Sequence, residues 1–185
     1  MQKIEIEIPD GKCVKWVNGV LTLVDDNSKD IRDRIKTFED ACAELGDEHP
    51  LVTQYRLISG AYKGEEKTND IIAYLKLRII TAALNEGWKP QFVKNEKRWY
   101  AWYEILSKEK YNDMTDKEKH RVVGCGSNNV GEYSCLVYSD TNYFSTFSDS
   151  LNGSQLCFKS AELAKYAAMQ FMDIYADYCF KPLIK

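Results

Sequence analysis

Histidine and proline are scarce in this chain, with two His and four Pro among 185 residues. So few prolines, alongside 44% hydrophobic and 29% charged residues, exclude wholesale disorder. Two histidines leave little material for imidazole chemistry. His49 precedes a proline, His120 sits in a charged run, and neither lies in a motif that supplies an orienting partner. No run of about 18 apolar residues occurs, and "MQKIEIEIPDGK" lacks a basic head followed by an apolar stretch, so neither a membrane span nor a leader is expected. A block of basic charge is missing as well. The 25 basic residues are interspersed with 28 acidic ones for a net charge of −3, which gives no concentrated basic face for nucleic acid.

The metal, phosphate and acid-base signatures are absent too. Gly124-Cys125-Gly126-Ser127 lacks the Lys-Ser/Thr ending of a phosphate loop. His120, Cys125 and Cys135 are spaced too widely for the close ligand pairs of structural zinc, so no metal or cofactor is expected. Asp25, Asp26, Glu65, Glu66, Asp113, Asp116 and Glu118 all fall where solvated charge belongs. The six cysteines, at 13, 42, 125, 135, 157 and 179, include no C-x-x-C pair, and a chain of this size does not need staples. They are expected as reduced, mostly buried thiols. These readings describe a cytoplasmic protein, or one incorporated in a particle assembled there.

What is present is ordinary secondary-structure patterning. Ile4, Ile6 and Ile8 alternate with Glu5 and Glu7 as in a half-buried strand. Asn18-Gly19 joins two further alternating runs into a hairpin over 13 to 24. Ile31, Ile35, Phe38, Cys42 and Leu45 predict one amphipathic helix ending at Gly46. Pro50 opens a shorter helix, and "DIIAYLKLRIITAALNE" is apolar enough to be a core helix. "RWYAWYEIL" reads as a strand or an irregular aromatic cluster, "SKEKYNDMTDKEKHR" as a surface loop or short solvated helix, and Leu156 to Phe158 as a short strand. Ser160 then caps a long closing helix that buries Leu163, Tyr166, Ala167, Phe171, Ile174 and Tyr178. The fold class is therefore α+β: an N-terminal β-hairpin (1–27), a helical subdomain (28–87), then a mixed aromatic-rich β region with the C-terminal helix (88–185), in one compact unit.

One segment stands apart in composition. Ser127 to Leu156 holds seven Ser, four Asn, three Tyr and two Phe, with no Lys or Arg. Tyr gives wide contact at low entropic cost and small polar residues give adaptable hydrogen bonds, the mixture found in recognition surfaces. Tyr133, Tyr138, Asn142, Tyr143, Phe144 and Phe147 are accordingly the candidate contacts of a non-enzymatic binding module with a protein or glycan partner. An ordinary polar loop uses the same residues for turn chemistry. The alternative is single-stranded nucleic acid stacked on Arg98, Trp99, Tyr100 and Trp102, weighed against core packing of the same rings. A third reading is an enzyme built on Cys125 or Cys135 with His120.

Three stretches add a resemblance. "TFEDACAELG", "IIAYLKLRIITAALNEGWKPQF" with "RWYAWYEI", and "GSQLCFKSAELAKYAAMQFMDIYADYCF" together resemble an uncharacterised family from gut Bacteroidetes and their prophages or other mobile elements, over about residues 36 to 181. The resemblance implies no catalytic residues. It implies a polar stretch before "GSQLCFKS" that varies between flanks that do not, as a diversified recognition loop would.

Overall fold

The amino-terminal hairpin reverses between Val17 and Val20, where the alternation expects it. Strand β1 (Lys12–Val17) runs antiparallel to β2 (Val20–Asp25), and Gly19 has a φ of 80°, a left-handed conformation that a Cβ would strain. The structure, a computed structural model, describes residues 7–9, 12–17, 19–25, 30–62, 69–91, 93, 95–127, 133–144 and 154–179. Positions 4 to 6 of the expected first strand lie outside the described residues, and residues 7 to 9 are not in a strand. The Pro9 carbonyl instead accepts from the Lys12 N–H at 3.1 Å, closing a turn.

The single helix expected up to Gly46 is two helices. Helix α1 (Ile31–Arg34) is capped by the Asp30 carboxylate, and Ile35 then takes extended backbone with φ −110° and ψ 98°. Helix α2 (Phe38–Leu45) starts afresh at Thr37, whose hydroxyl accepts from the Asp40 N–H while the Asp40 carboxylate accepts from the Thr37 N–H. That reciprocal capping box offers the backbone an alternative to a continuous ladder, and it prevails. Ile35 stays fully buried across the break, so the apolar stripe was read correctly although its backbone was not.

Helix α3 (Pro50–Ala61) begins at its proline, with the His49 Nδ1 accepting from the Leu51 N–H at 3.2 Å. Helix α4 (Asn69–Leu84) is the central strut. It buries Ala73, Leu75, Leu77, Ile79, Ile80, Ala83 and Leu84, more than one face can hold, because α2 and α3 pack on it together with the carboxy-terminal helices. The second sheet has strand order β3-β5-β4, all antiparallel, from β3 (Arg98–Ser107), β4 (Val122–Ser127) and β5 (Tyr133–Phe144). Between β3 and β4 the charged stretch forms short solvated helices α5 (Lys108–Asp113) and α6 (Asp116–Lys119), capped by Ser107 and by a Thr115–Glu118 box. The closing helix is also broken: α7 (Ala161–Gln170) ends where Phe171 takes φ −116° and ψ 35°, and α8 (Met172–Cys179) follows. Phe171 is buried as expected, but the buried residue of α8 is Tyr175, outside the expected face, while Ile174 and Tyr178 are half-buried. The fold is α+β, with eight helices and two small antiparallel sheets among the described residues.

One side chain fastens the helical half to the β half. The expected strand at 156 to 158 is a 3-10 turn (Ser154–Leu156) followed by a single bridge in which Phe158 exchanges backbone hydrogen bonds with Trp99 at 2.8 and 3.0 Å. On the other edge of this segment stands buried Asn85, just past the end of α4. Its Nδ2 donates to the Cys157 carbonyl at 2.8 Å and its Oδ1 accepts from the Lys159 N–H at 3.0 Å. The amide thus takes the place of a neighbouring strand. Around it, Arg34 bridges Glu44 and Glu86, and Lys159 Nζ reaches Glu86 at 2.7 Å.

Candidate functional site

The surface chemistry of the hairpin follows from its register. Trp16 is paired with Leu21 and Val14 with Leu23, so these four side chains share one face. Trp16 is 72% exposed, Leu21 49% and Leu23 48%; on the opposite face Val20 is 64% exposed. A fully accessible aromatic offers about 200 Å², so the first face leaves on the order of 300 Å² of apolar surface in water. A patch of that size is comparable to the largest on a typical monomer, which is often functional, whereas scattered apolar side chains such as Leu57 need no explanation. A two-stranded hairpin is marginally stable alone, so this element gains most from being covered.

Of the recognition surface expected on β5, only Tyr138 has a described side chain. Tyr138 is only 5% exposed. It stands directly opposite Tyr103, their rings meeting edge to face at 5.7 Å, and Tyr103 is fixed by its hydroxyl donating to the Ala168 carbonyl of α7 at 2.8 Å. Ser139 is an extra residue, since Trp102 pairs with Asp140 and Tyr103 with Tyr138, and this bulge breaks the simple alternation. Tyr138 therefore faces the helices. Contrary to the expectation from composition, it is not an exposed contact. The side chains of Tyr133, Asn142, Tyr143 and Phe144, and the whole of Phe147, lie outside the described residues.

The nucleic-acid surface needs the same correction. Arg98 is 1% exposed and Tyr100 is equally buried, so neither presents a face for base stacking. Arg98 Nη1 lies 3.1 Å from the Glu96 carboxylate, which also accepts from the Gln91 N–H, so the cation organises the entry to β3. Trp99 and Trp102 are half-buried. Burial pushes the Tyr100 hydroxyl up to about 12, a phenol kept neutral inside the protein.

Cysteine chemistry is likewise redirected. Cys135 is disulfide-bonded, which overturns the expectation of reduced thiols at that position, and Cys125 is its Cα partner across the β4–β5 ladder. Residues opposed in an antiparallel ladder have Cα atoms about 4.5 to 5.5 Å apart, within disulfide reach, and sequence spacing carries no trace of that opposition. A bonded Cys135 is no thiolate nucleophile, and the Nδ1 of His120 lies 2.7 Å from the Asp116 carbonyl of its own helix. Cys42, Cys157 and Cys179 are free thiols. Burial pushes Cys157 and Cys179 up to about 11, away from reactivity.

The concave features are small or self-satisfied. A cavity of about 30 Å³ among Tyr100, Tyr103, Leu156, Tyr175, Tyr178 and Cys179 has room for a single water. A groove of about 240 Å³ beside Glu44, Leu45, Glu86 and Gly87 has its two carboxylates neutralised by Arg34 and Lys159. Among the described residues no group of three or more His, Cys, Asp or Glu is placed to hold a metal ion, and no helix is long and apolar enough to cross a membrane. The sequence located the hairpin but not its exposed apolar face. The signal was legible, because "KCVKWV" and "VLTLVD" carry apolar residues on both alternating faces of a two-stranded unit. No family model, curated protein or solved structure matches the chain.

Proposed function

We propose that this chain is a non-enzymatic interaction module whose amino-terminal hairpin docks a protein partner. The observation that carries the reading is the face shared by Val14, Trp16, Leu21 and Leu23, the last three exposed, an apolar patch on an element that is marginally stable alone. A protein fits better than a glycan. Sugars are gripped by an aromatic ring together with a ring of hydrogen-bonding side chains, and the neighbours of Trp16 on this face are aliphatic. The body behind it, locked by α4 and Asn85, is a frame from which the hairpin projects; the mobile-element origin implied by the resemblance belongs to the same reading. A disulfide at Cys135 lends no support to a cytoplasmic location, since such bonds persist mainly in oxidising compartments.

A photo-crosslinking amino acid placed at Trp16, with Leu57 of α3 as an equally exposed control, tests the proposal in cells of the source organism. The expected result is a discrete protein adduct from position 16 that is missing from position 57. Identical adducts from both positions, or none from 16, would overturn it.

A further inference from the structure

The open edge of β2 carries an observation separate from the face. Residues 20 to 24 read Val-Leu-Thr-Leu-Val, identical in both directions about Thr22. We propose that β2 pairs through this edge with β2 of a second copy of the chain, antiparallel and centred on Thr22.

The backbone supports that centre. Val17 and Val20 close a two-residue hairpin; such a closing pair exchanges ladder bonds, and bonded pairs then alternate along the strands. Thr22 therefore bonds toward β1, while the N–H and C=O groups of Leu21 and Leu23 point to the open edge. Among the described residues no strand occupies that edge. Natural edges are blunted by proline, bulges or charge. β1 carries Lys12 and Lys15, but residues 20 to 24 have none of these devices, and the β1–β2 register is unbroken.

Pairing about Thr22 sets Leu21 against Leu23 of the second copy and Val20 against Val24, with Thr22 against itself. The interface is isologous, as a two-fold dimer requires. The edge-facing groups of both leucines in both copies are satisfied by four ladder bonds. Each Leu pair extends the apolar stripe that begins at Trp16. Charge selects the same register. Asp25 falls opposite Gly19 of the second copy, which keeps the two Asp25 residues about 20 Å apart at roughly 3.3 Å per residue. Sliding the strands to centre on Val24 would bring the four aspartates at 25 and 26 together, and sliding the other way runs into the turns. A net charge of −3 per copy opposes association only weakly. A single strand pair covers less than the roughly 1,200 Å² of a stable interface, so the dimer is a weak, reversible one.

Sedimentation velocity on the full chain, from micromolar to submillimolar concentration, tests this together with two variants. Leu23→Pro removes an edge-facing N–H without touching a bond to β1; it should raise the dimer dissociation constant by about tenfold or more, and Leu23→Ala by less. In a Cys13→Ser background, Thr22→Cys should cross-link to itself on mild oxidation, mapped as a 22–22 peptide, while Trp16→Cys should not. A chain that stays monomeric throughout, or a dimer indifferent to Leu23→Pro and unlinked through position 22, overturns the proposal. This edge pairing does not depend on the partner-docking face. A monomer that still gives the position 16 adduct would refute the dimer and leave that reading intact.

Discussion

Replacing Asn85 by Ala removes the donor to the Cys157 carbonyl and the acceptor of the Lys159 N–H, bonds of 2.8 and 3.0 Å in a buried setting. Each bond contributes about 1 kcal/mol net, and each buried backbone group left unsatisfied costs about 1 to 3 kcal/mol. With two backbone groups left unsatisfied, the expected loss is about 2 to 6 kcal/mol, a large share of the roughly 5 to 15 kcal/mol that holds a domain together. Urea titration followed by circular dichroism measures it, with an unchanged m-value showing that the unfolded reference is the same. Asn85→Asp sharpens the test. It keeps the acceptor for the Lys159 N–H but presents a second acceptor to the Cys157 carbonyl. Protonating the introduced carboxyl restores a donor, so this variant should regain stability relative to wild type as the pH falls toward 4. A loss below 1 kcal/mol for Asn85→Ala, or an Asn85→Asp deficit that does not shrink in acid, would refute the view of Asn85 as a substitute strand.

Further outcomes follow from burial. Tyr138→Ala should destabilise by about 3 to 5 kcal/mol in the same titration, as large-to-small core changes do, whereas a surface tyrosine would cost almost nothing. Tyr100 is raised to about 12 and Tyr175 is raised by burial. For a phenol whose folded pKa lies above its unfolded value, the stabilisation is complete below pH 10 and is lost as the pH climbs toward 12. Unfolding free energy should therefore fall above pH 10, by up to about 1.4 kcal/mol per pH unit for each such phenol, and melting temperature with it. Cys157 and Cys179, raised to about 11, should resist iodoacetamide at pH 8 in the folded chain and react promptly in urea, as peptide mass spectrometry can follow.

Local chemistry was readable in the sequence and non-local chemistry was not. The hairpin reversal between Val17 and Val20, the Pro50 helix start and the apolar α4 each rest on neighbours within a few positions, and each forms where expected. Both expected long helices break, at Ile35 and at Phe171, because caps and backbone twists cost little while the side chain remains in the core. Tyr138 was misplaced because its environment is set by Tyr103, far off in sequence, and by a bulge that periodicity does not announce. Cys135 was read as a thiol for the same reason, its ladder neighbour being invisible to spacing rules. Asn85 gave no signal, since a lone Asn after a helix looks like a cap until its partners 72 and 74 residues away are known.

Hydroxyl-radical footprinting of the full chain at a concentration where it is monomeric bears most directly on the docking face. Trp16, Leu21 and Leu23 should oxidise rapidly while Tyr100 and Tyr138 stay protected. Protection of Trp16 in the monomer, with Tyr138 modified instead, would contradict the placement of the interaction surface on the hairpin.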